Sequence, residues 1–462
     1  MTAISFISSL NASQIKTLTT ESMQRLSSAQ VNALTTEHVA ALNSAQLAAI
    51  DTEDMNSLKV TSLTSTALQG LSTEQLAAIT AGVAAFEESQ ISGLSSGIIS
   101  SLTTAQLDAL ASSDKLDALS TKQIEFLTAA NLSATAIADL TTGQVAKLTS
   151  AQVTALASEA VSALTSVQIG ALATSAIAGL ETEDMAIFNG NSAKVAALST
   201  KQIAAMETED LLQLNSTGGG FLSTEQIAAL TSAQVDVLTS TQIGGWVTSQ
   251  VNALTSKQIS ALDVAELSTA QQGYLTSSQI GGLNSTQVAA VDPAAFGAWT
   301  TIQLEGLTAG GSAGITTEQS ILLTGADLNA LTSKALAAIS DLAIAAIPSA
   351  QIALLDTDSI KALTTAQIAA LTTDQVTALT STQIAALSSA QISAFEDGDI
   401  ALFTSAEIGA ISTSAIHGLS QDDILSLSDS LLDGITSQQA QAMKGDMINW
   451  VIEAYHETDI AN

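Results

Sequence analysis

Between Leu363 and Ala394 the chain reads LTTAQIAA, LTTDQVTA, LTSTQIAA, LSSAQISA, successive copies of one eight-residue unit. Position 1 is Leu or another large apolar residue, and positions 2 and 3 are Thr or Ser. Position 5 is Gln, position 6 is Ile or Val, and position 8 is Ala or Gly. Positions 4 and 7 vary. The register runs from Leu10 to Leu58 and again from Leu198 to Leu262. It then continues unbroken from Leu267 through Leu323, Leu363, Leu387 and Leu419 to Val451.

The spacing encodes a helix start. Thr or Ser followed three residues later by Gln is a capping box: the hydroxyl accepts from the backbone N–H at position 5, and the Gln side chain reaches back. Positions 1 and 6 then form the flanking hydrophobic staple. About six residues remain before the next cap, so each helix spans roughly 9 Å at about 1.5 Å per residue. The two prolines agree. Pro293 falls at the first helical position behind Asp292 as N-cap, where proline is favoured, and Pro348 sits at a cap position itself.

One continuous helix is excluded by geometry. Eight residues at about 100° each leave a residual rotation of about 80° per unit, so the Leu/Ile stripe would spiral and bury nothing. The chain must bend at every cap, and helices this short need neighbouring coils for stability. Small residues at position 8, such as Ala370, Ala378 and Ala386, let helices approach. The expected fold is an all-α solenoid of very short capped helices around a Leu/Ile/Val/Ala core. The competing fold is a β-solenoid, since Thr, Ile and Val favour strands. Against it stand the capping box, the Ala and Gln content, and the lack of strict two-residue alternation. The number of octads per coil does not follow from the spacing.

The register slips at Leu58 to Leu63, Ile79 to Phe86, Leu110 to Leu119, Leu127 to Leu140, Phe188 to Leu198 and Leu262 to Leu267. These read as bulges, bends or projecting loops, and Asn189-Gly190-Asn191 and Gly218-Gly219-Gly220 read as flexible turns. The expected organisation is an N-terminal cap over 1–9, a solenoid with register breaks over 10–266, and an uninterrupted solenoid over 267–443. In the last segment, 444–462, Met447, Trp450, Val451 and Tyr455 continue a helical spacing from Met443. It reads as an amphipathic helix that caps the last coil, with subunit docking or an export signal as the functional alternatives.

Composition narrows the partners. The formal net charge of -32 repels nucleic acid and anionic membrane surfaces. Cysteine is absent, which excludes disulfides and thiolate metal sites. No apolar run is long enough to span a membrane. The start, Met1-Thr2-Ala3-Ile4-Ser5-Phe6, has no basic region and no long apolar core, so a leaderless route is the expectation for export.

Little chemistry stands out. Gly310-Gly311-Ser312-Ala313-Gly314 matches the nucleophile-elbow pattern, but it lies inside an octad and reads as a Gly-rich turn. His38, His417 and His456 lack metal-ligand spacing, and a solvent-facing role is expected for them. Asn11, Asn131, Asn215 and Asn284 begin glycosylation sequons, as a Ser/Thr-rich chain yields by chance.

Acidic clusters recur at positions 2 to 5: Asp51, Glu53 and Asp54; Glu181, Glu183 and Asp184; Glu207, Glu209 and Asp210; Glu396, Asp397 and Asp399. Carboxylates in a first turn cap a helix and complement its dipole. Oxygen-rich clusters also suit Ca²⁺, so these twelve residues are the candidate calcium ligands. Neither an EF-hand nor a Gly-rich calcium nonapeptide is present.

The string LTTAQIAALTTDQVTALTSTQIAAL, residues 363–387, resembles the octad arrays of large bacterial surface or secreted proteins, often labelled adhesin-like or haem-utilisation-like. The resemblance covers the chain from about Leu10 to Met443. It implies a bacterial product on the cell surface or outside the cell, exported by a leaderless, type I-like route. It carries no catalytic residues to transfer.

The expectation is therefore a non-enzymatic extracellular structural protein that polymerises with itself, head-to-tail or laterally, into a filament, surface layer or biofilm scaffold. Cell-surface polysaccharide is a further partner suited to a wall of hydroxyls and amides. The alternative is an adhesin stalk or binding module with a ligand site at the register breaks; a hydrolase hidden in the array has no supporting constellation.

Overall fold

The computed structural model describes residues 3–188, 191–214 and 222–461. The turns expected at Asn189-Gly190 and Gly218-Gly219-Gly220 lie outside them. Among the described residues there is no strand, and short α-helices and 3₁₀ turns follow one another in octad register. The fold is all-α.

The helix Thr365–Ala369 is representative. Its N-cap, Thr364, holds an extended backbone with φ −74° and ψ 161°, and Thr364 and Gln367 form the reciprocal capping box. Ile368 at position 6 and the flanking Leu363 and Leu371 at position 1 are buried. Thr365 and Ala366 face solvent. Pro293 occupies the first helical turn behind the Asp292 cap, and Pro348 is itself an N-cap.

The chain forms two compact units, Met1–Ala229 and Leu230–Asn462. Within each, a helix packs against the third helix along. In the first unit Ala134–Asp139 meets Ser158–Ala163, and Ser166–Ala171 meets Ser192–Ala197. In the second, Ala309–Ser312 meets Ser333–Ala337, which meets Thr357–Ala362. The starts of these last three lie 24 residues apart, so three octads complete one coil. Positions 1 and 6 of all three sides point inward and build the core.

Position 8 sets how closely coils stack. A Cβ built on Gly306 would overlap the backbone oxygen of Ser277, and one on Gly314 would overlap that of Ser285. In both cases the residue beneath is at position 3 of the preceding coil. Glycine there is a requirement of backbone approach.

Among the described residues, the shortened register breaks do not project as loops. At Leu58 to Leu63, Leu127 to Leu132 and Leu262 to Leu267, five residues replace eight, and the side of the coil is a 3₁₀ turn: Val60–Ser62, Ala129–Asn131 or Val264–Glu266. A 3₁₀ turn rises about 2.0 Å per residue against about 1.5 Å for an α-helix, so three residues cover the length of four. Leu63, Leu132 and Leu267 therefore stay buried at the coil corners. At Ile79 to Phe86 the chain turns through Gly82, φ 56°, and at Leu110 to Leu119 the helix Thr104–Ser112 runs on before a turn at Asp114, φ 56°.

In the second unit position 6 is polar three times, at Gln272, Ser312 and Ser320, all buried. The rings of Phe296 and Trp299, 5.1 Å apart, lie in the same stretch, and Trp299 Nε1 donates to the Gln272 carbonyl at 3.0 Å. At the end of the chain, Gly445–Ala461 is a long helix packed on Gln421–Leu425 and Asp429–Leu432. It buries Met447 and Ala454 beside Met443.

Candidate functional site

The repeated polar chemistry converges on position 5. The Oε1 of Gln367 accepts the N–H of Thr364 at 2.9 Å, and the Gln367 N–H donates to Thr364 Oγ1 at 3.1 Å. Its Nε2 then donates to the carbonyl oxygens of Leu336 and Ile339, at 2.9 and 2.7 Å, in the coil beneath. Those carbonyls belong to the end of the helix Ser333–Ala337 and the corner after it. The last carbonyls of a helix have no partner inside it. One amide thus satisfies the Thr364 N–H at its own helix start and the Ile339 carbonyl in the coil beneath, and adds a further bond to the Leu336 carbonyl, which also accepts the Ile339 N–H at 3.2 Å.

The arrangement recurs as a ladder. Gln46 donates to Ile15 and Leu18, Gln144 to Leu116 and Leu119, Gln287 to Ile259 and Leu262, and Gln439 to Ile408 and Ile411. These glutamines are buried. The capping half of this role is legible in the sequence. The inter-coil half requires the coil length, which the spacing leaves open.

Other donors fill some rungs. His38 takes the place of Gln: its Nδ1 accepts from the Thr35 N–H at 3.2 Å, and its Nε2 lies 2.7 Å from the Leu10 carbonyl. The expectation of a solvent-facing His38 is corrected, since the ring is only 4% exposed; a two-nitrogen ring reproduces the two ends of an amide. His417 and His456 are exposed. Lys194 donates to the Ser162 carbonyl at 2.7 Å and lies over the Phe188 ring, and burial holds its amine below the usual lysine range. Lys59 and Lys115 likewise reach carbonyls of Leu34 and Phe86, at 2.6 and 2.8 Å. A cation near a helix C-terminus also complements its dipole.

Four of the candidate calcium ligands stand on rungs. Asp54, Asp184, Asp210 and Asp399 occupy position 5, and the first three are buried. The Asp184 carboxylate accepts from the Glu181 N–H, and that of Asp399 from the Glu396 N–H, both at 3.1 Å. A carboxylate can do the capping half of the work but has no proton to give the coil beneath. Oδ1 of Asp54 is buried without a partner among the described residues. Asp184 and Asp210 are linked across coils through Thr182, whose Oγ1 donates to Asp210 Oδ1 at 3.1 Å.

Burial, with the neighbouring acids, pushes the Asp184 and Asp210 carboxyls above the usual range; burial does the same to Asp399. The remaining candidates, Asp51, Glu53, Glu181, Glu183, Glu207, Glu209, Glu396 and Asp397, are exposed. Among the described residues no three acidic or His side chains converge in a metal-binding group.

The G-x-S-x-G segment is not a loop throughout: Ala309–Ser312 is a one-turn helix, and only its last residues turn. Ser312 sits at core position 6, fully buried, with no hydrogen-bond partner for its Oγ among the described residues. Asn11 and Asn284, the first residues of two sequons, are N-caps accepting from Gln14 and Gln287. No described helix is long and apolar enough to cross a membrane.

Comparison with curated proteins finds no match. Against protein families, three stretches of the chain, residues 203–240, 220–248 and 352–389, match the ALTTAQ repeat, and it is to this octad-repeat class that the ladder-bearing coils are similar.

Proposed function

We propose that the protein is a non-enzymatic extracellular structural protein that assembles with itself into a filament or surface layer and serves as a biofilm scaffold. The observation that carries this reading is the use made of the repeated polar groups. Position 5 spends its hydrogen bonds on holding coils together, and position 2 spends its own on starting helices. What the walls offer to the outside is a repeated display of short hydroxyls with scattered carboxylates. Such a surface suits many weak, identical contacts, to further copies or to cell-surface polysaccharide. The resemblance to bacterial octad arrays supports a surface or extracellular setting.

Electron microscopy of the purified protein tests the proposal. Regular polymers are expected. Monodisperse single particles at every concentration would overturn it and favour the stalk or binding-module reading. Imaging with and without a calcium chelator separates a role for the acidic clusters in assembly from a purely helix-capping one.

A further inference from the structure

One rung of the second unit carries a serine where the ladder has glutamine. Ser359 stands at position 5 of the octad that begins at Leu355, and it is buried. One coil on, Gln383 donates to the carbonyls of Ile352 and Leu355, 31 and 28 residues earlier. The same offsets set Ser359 over the carbonyls of Leu328 and Leu331. A serine hydroxyl stops well short of where a glutamine amide nitrogen ends. The space left is a cavity of about 170 Å³ whose lining includes Asn329, Leu331, Leu336, Asp356, Asp358 and Ser359.

The acceptor half of the absent amide is replaced from the coil beneath. Asn329 Oδ1 accepts the Asp356 N–H at 3.0 Å, the bond that a position-5 glutamine makes to its own cap. The donor half is not replaced, because the Asn329 amide nitrogen donates instead to the Leu354 carbonyl at 3.0 Å. Among the described residues the Leu331 carbonyl meets no donor. The Ser359 hydroxyl meets no partner among them either, on a residue only 6% exposed. Asp356 Oδ1 accepts the Ser359 N–H at 2.7 Å. Asp358 has Lys361 at 3.4 Å, but that pair is exposed, and such pairs contribute little. The lining thus turns acceptor oxygens and two carboxylates toward one space, flanked by the apolar Leu331 and Leu336.

The molecule shows elsewhere what suits such a space. The Lys59 ammonium donates to the Asn32 and Leu34 carbonyls at 3.1 and 2.6 Å, and that of Lys115 to the Ala84 and Phe86 carbonyls at 3.2 and 2.8 Å. Lys194, itself at position 5, donates to the Ser162 carbonyl at 2.7 Å. On these coils an ammonium takes over the donor half of the amide.

We propose that the Ser359 cavity is a binding site for a primary ammonium group carried on a methylene chain. An ammonium has donors and no acceptor, the complement of this lining. Its N–H groups meet the Leu331 carbonyl, the Ser359 hydroxyl and the Asp356 and Asp358 carboxylates, and its methylenes lie against Leu331 and Leu336. A divalent cation is the poorer fit, because no third acidic or His side chain joins the two aspartates among the described residues. Two sources carry the fitting chemistry: a free alkylamine, and a lysine side chain of another protein.

Calorimetric titration of the full chain with n-butylammonium and with Nα-acetyl-lysine amide tests this. Tetramethylammonium, equal in charge but without N–H donors, is the control. Saturable binding about tenfold or more tighter than the control is expected, as the loss of buried charge-assisted hydrogen bonds implies. Tighter binding of butylammonium assigns a free amine, and tighter binding of the lysine amide assigns a protein side chain. Ser359→Gln restores the ladder residue, so it is expected to raise the thermal midpoint and to weaken amine binding by about tenfold or more. Asp358→Asn, at an exposed and variable position, is expected to weaken binding several-fold with the thermal midpoint unchanged. No saturable binding of either amine, equal binding of tetramethylammonium, or undiminished binding to S359Q would overturn the site. Displacement of butylammonium by equimolar Ca²⁺ would overturn the choice of ligand and make the cavity a metal site.

Discussion

The side-chain nitrogen of Gln367 lies 2.7 Å from the backbone oxygen of Ile339, 28 residues earlier in the chain. Three octads account for 24 of those residues, and the other four are the step from position 1 to position 5. This bond converts a local helix cap into a joint between coils. It also explains why Gln recurs at position 5 where Glu would serve the capping box as well: only the amide carries both an acceptor for its own helix and donors for the next.

Replacing Gln367 with Leu should remove the joint at one rung. The Thr364 N–H and the Ile339 carbonyl would lose this partner, while the Leu336 carbonyl would keep its bond from the Ile339 N–H. At about 1–3 kcal/mol for each buried group left unpaired, a loss of several kcal/mol is expected. Urea unfolding measures it. The same change at Gln14, whose Nε2 has no acceptor among the described residues, should cost only about 1 kcal/mol for the cap. Equal costs at the two sites would refute the inter-coil role.

Asp54→Gln should stabilise the first unit. The aspartate carries a buried oxygen without a partner, on a rung where Gln would donate to the coil beneath. A gain of about 1 kcal/mol is expected for a hydrogen bond made in place of an unpaired group. A fall in the thermal midpoint would show that Asp54 does something the amide cannot, and cation binding would be the first alternative to examine.

The Asp184 and Asp210 pair should make the first unit less stable as pH rises through the acid range. Burial raises both carboxyls above their ordinary value of 3.8. A carboxyl whose pKa is higher folded than unfolded binds its proton more tightly in the folded state. Its contribution is therefore fully present below the unfolded pKa and is lost as pH rises through the folded one. Glu181, Glu183, Glu207 and Glu209 add to the shift, so salt should weaken the effect. Amide hydrogen exchange of Thr182–Phe188 and Thr208–Leu214 across this range measures it. The double variant Asp184→Asn, Asp210→Asn should flatten the dependence; an unaltered profile would place its origin elsewhere.

Gly306→Ala should be costly and Gly273→Ala should not. The first would drive a methyl group into the backbone oxygen of Ser277, which cannot yield without moving a coil, and overpacking of this kind costs about 1–3 kcal/mol. The second is a helix residue with open space around its Cβ position, and gains about 0.5–1 kcal/mol from reduced backbone freedom. Thermal midpoints that move together in the two variants would contradict this account of position 8.

Much of this was legible from the octad because the forces involved are local. The cap at Thr364, the staple of Leu363 with Ile368, the proline placements and the small position 8 all act within one unit or at its edges. His38 was misread because its neighbours in sequence are polar and its burial comes from a coil that precedes it by 28 residues. The register breaks stay open among bulges, bends and projecting loops at the level of sequence, because the spacing alone does not say how a shortened octad is accommodated. Whether five residues can span the side of a coil depends on a change of helix type at Val60–Ser62 and Val264–Glu266.

A series of self-capped helical turns with one apolar face is already written in the octad, since a capping box and a staple need only residues within one octad of each other. Only closure of the coil in three dimensions sets three octads to a turn in the second unit, carries glutamines such as Gln367 to the coil beneath, and buries Asp54, Asp184 and Asp210. Those outcomes depend on backbone carbonyls more than twenty residues away, whose positions follow from closing a ring of helices. No interaction within a single octad specifies that closure.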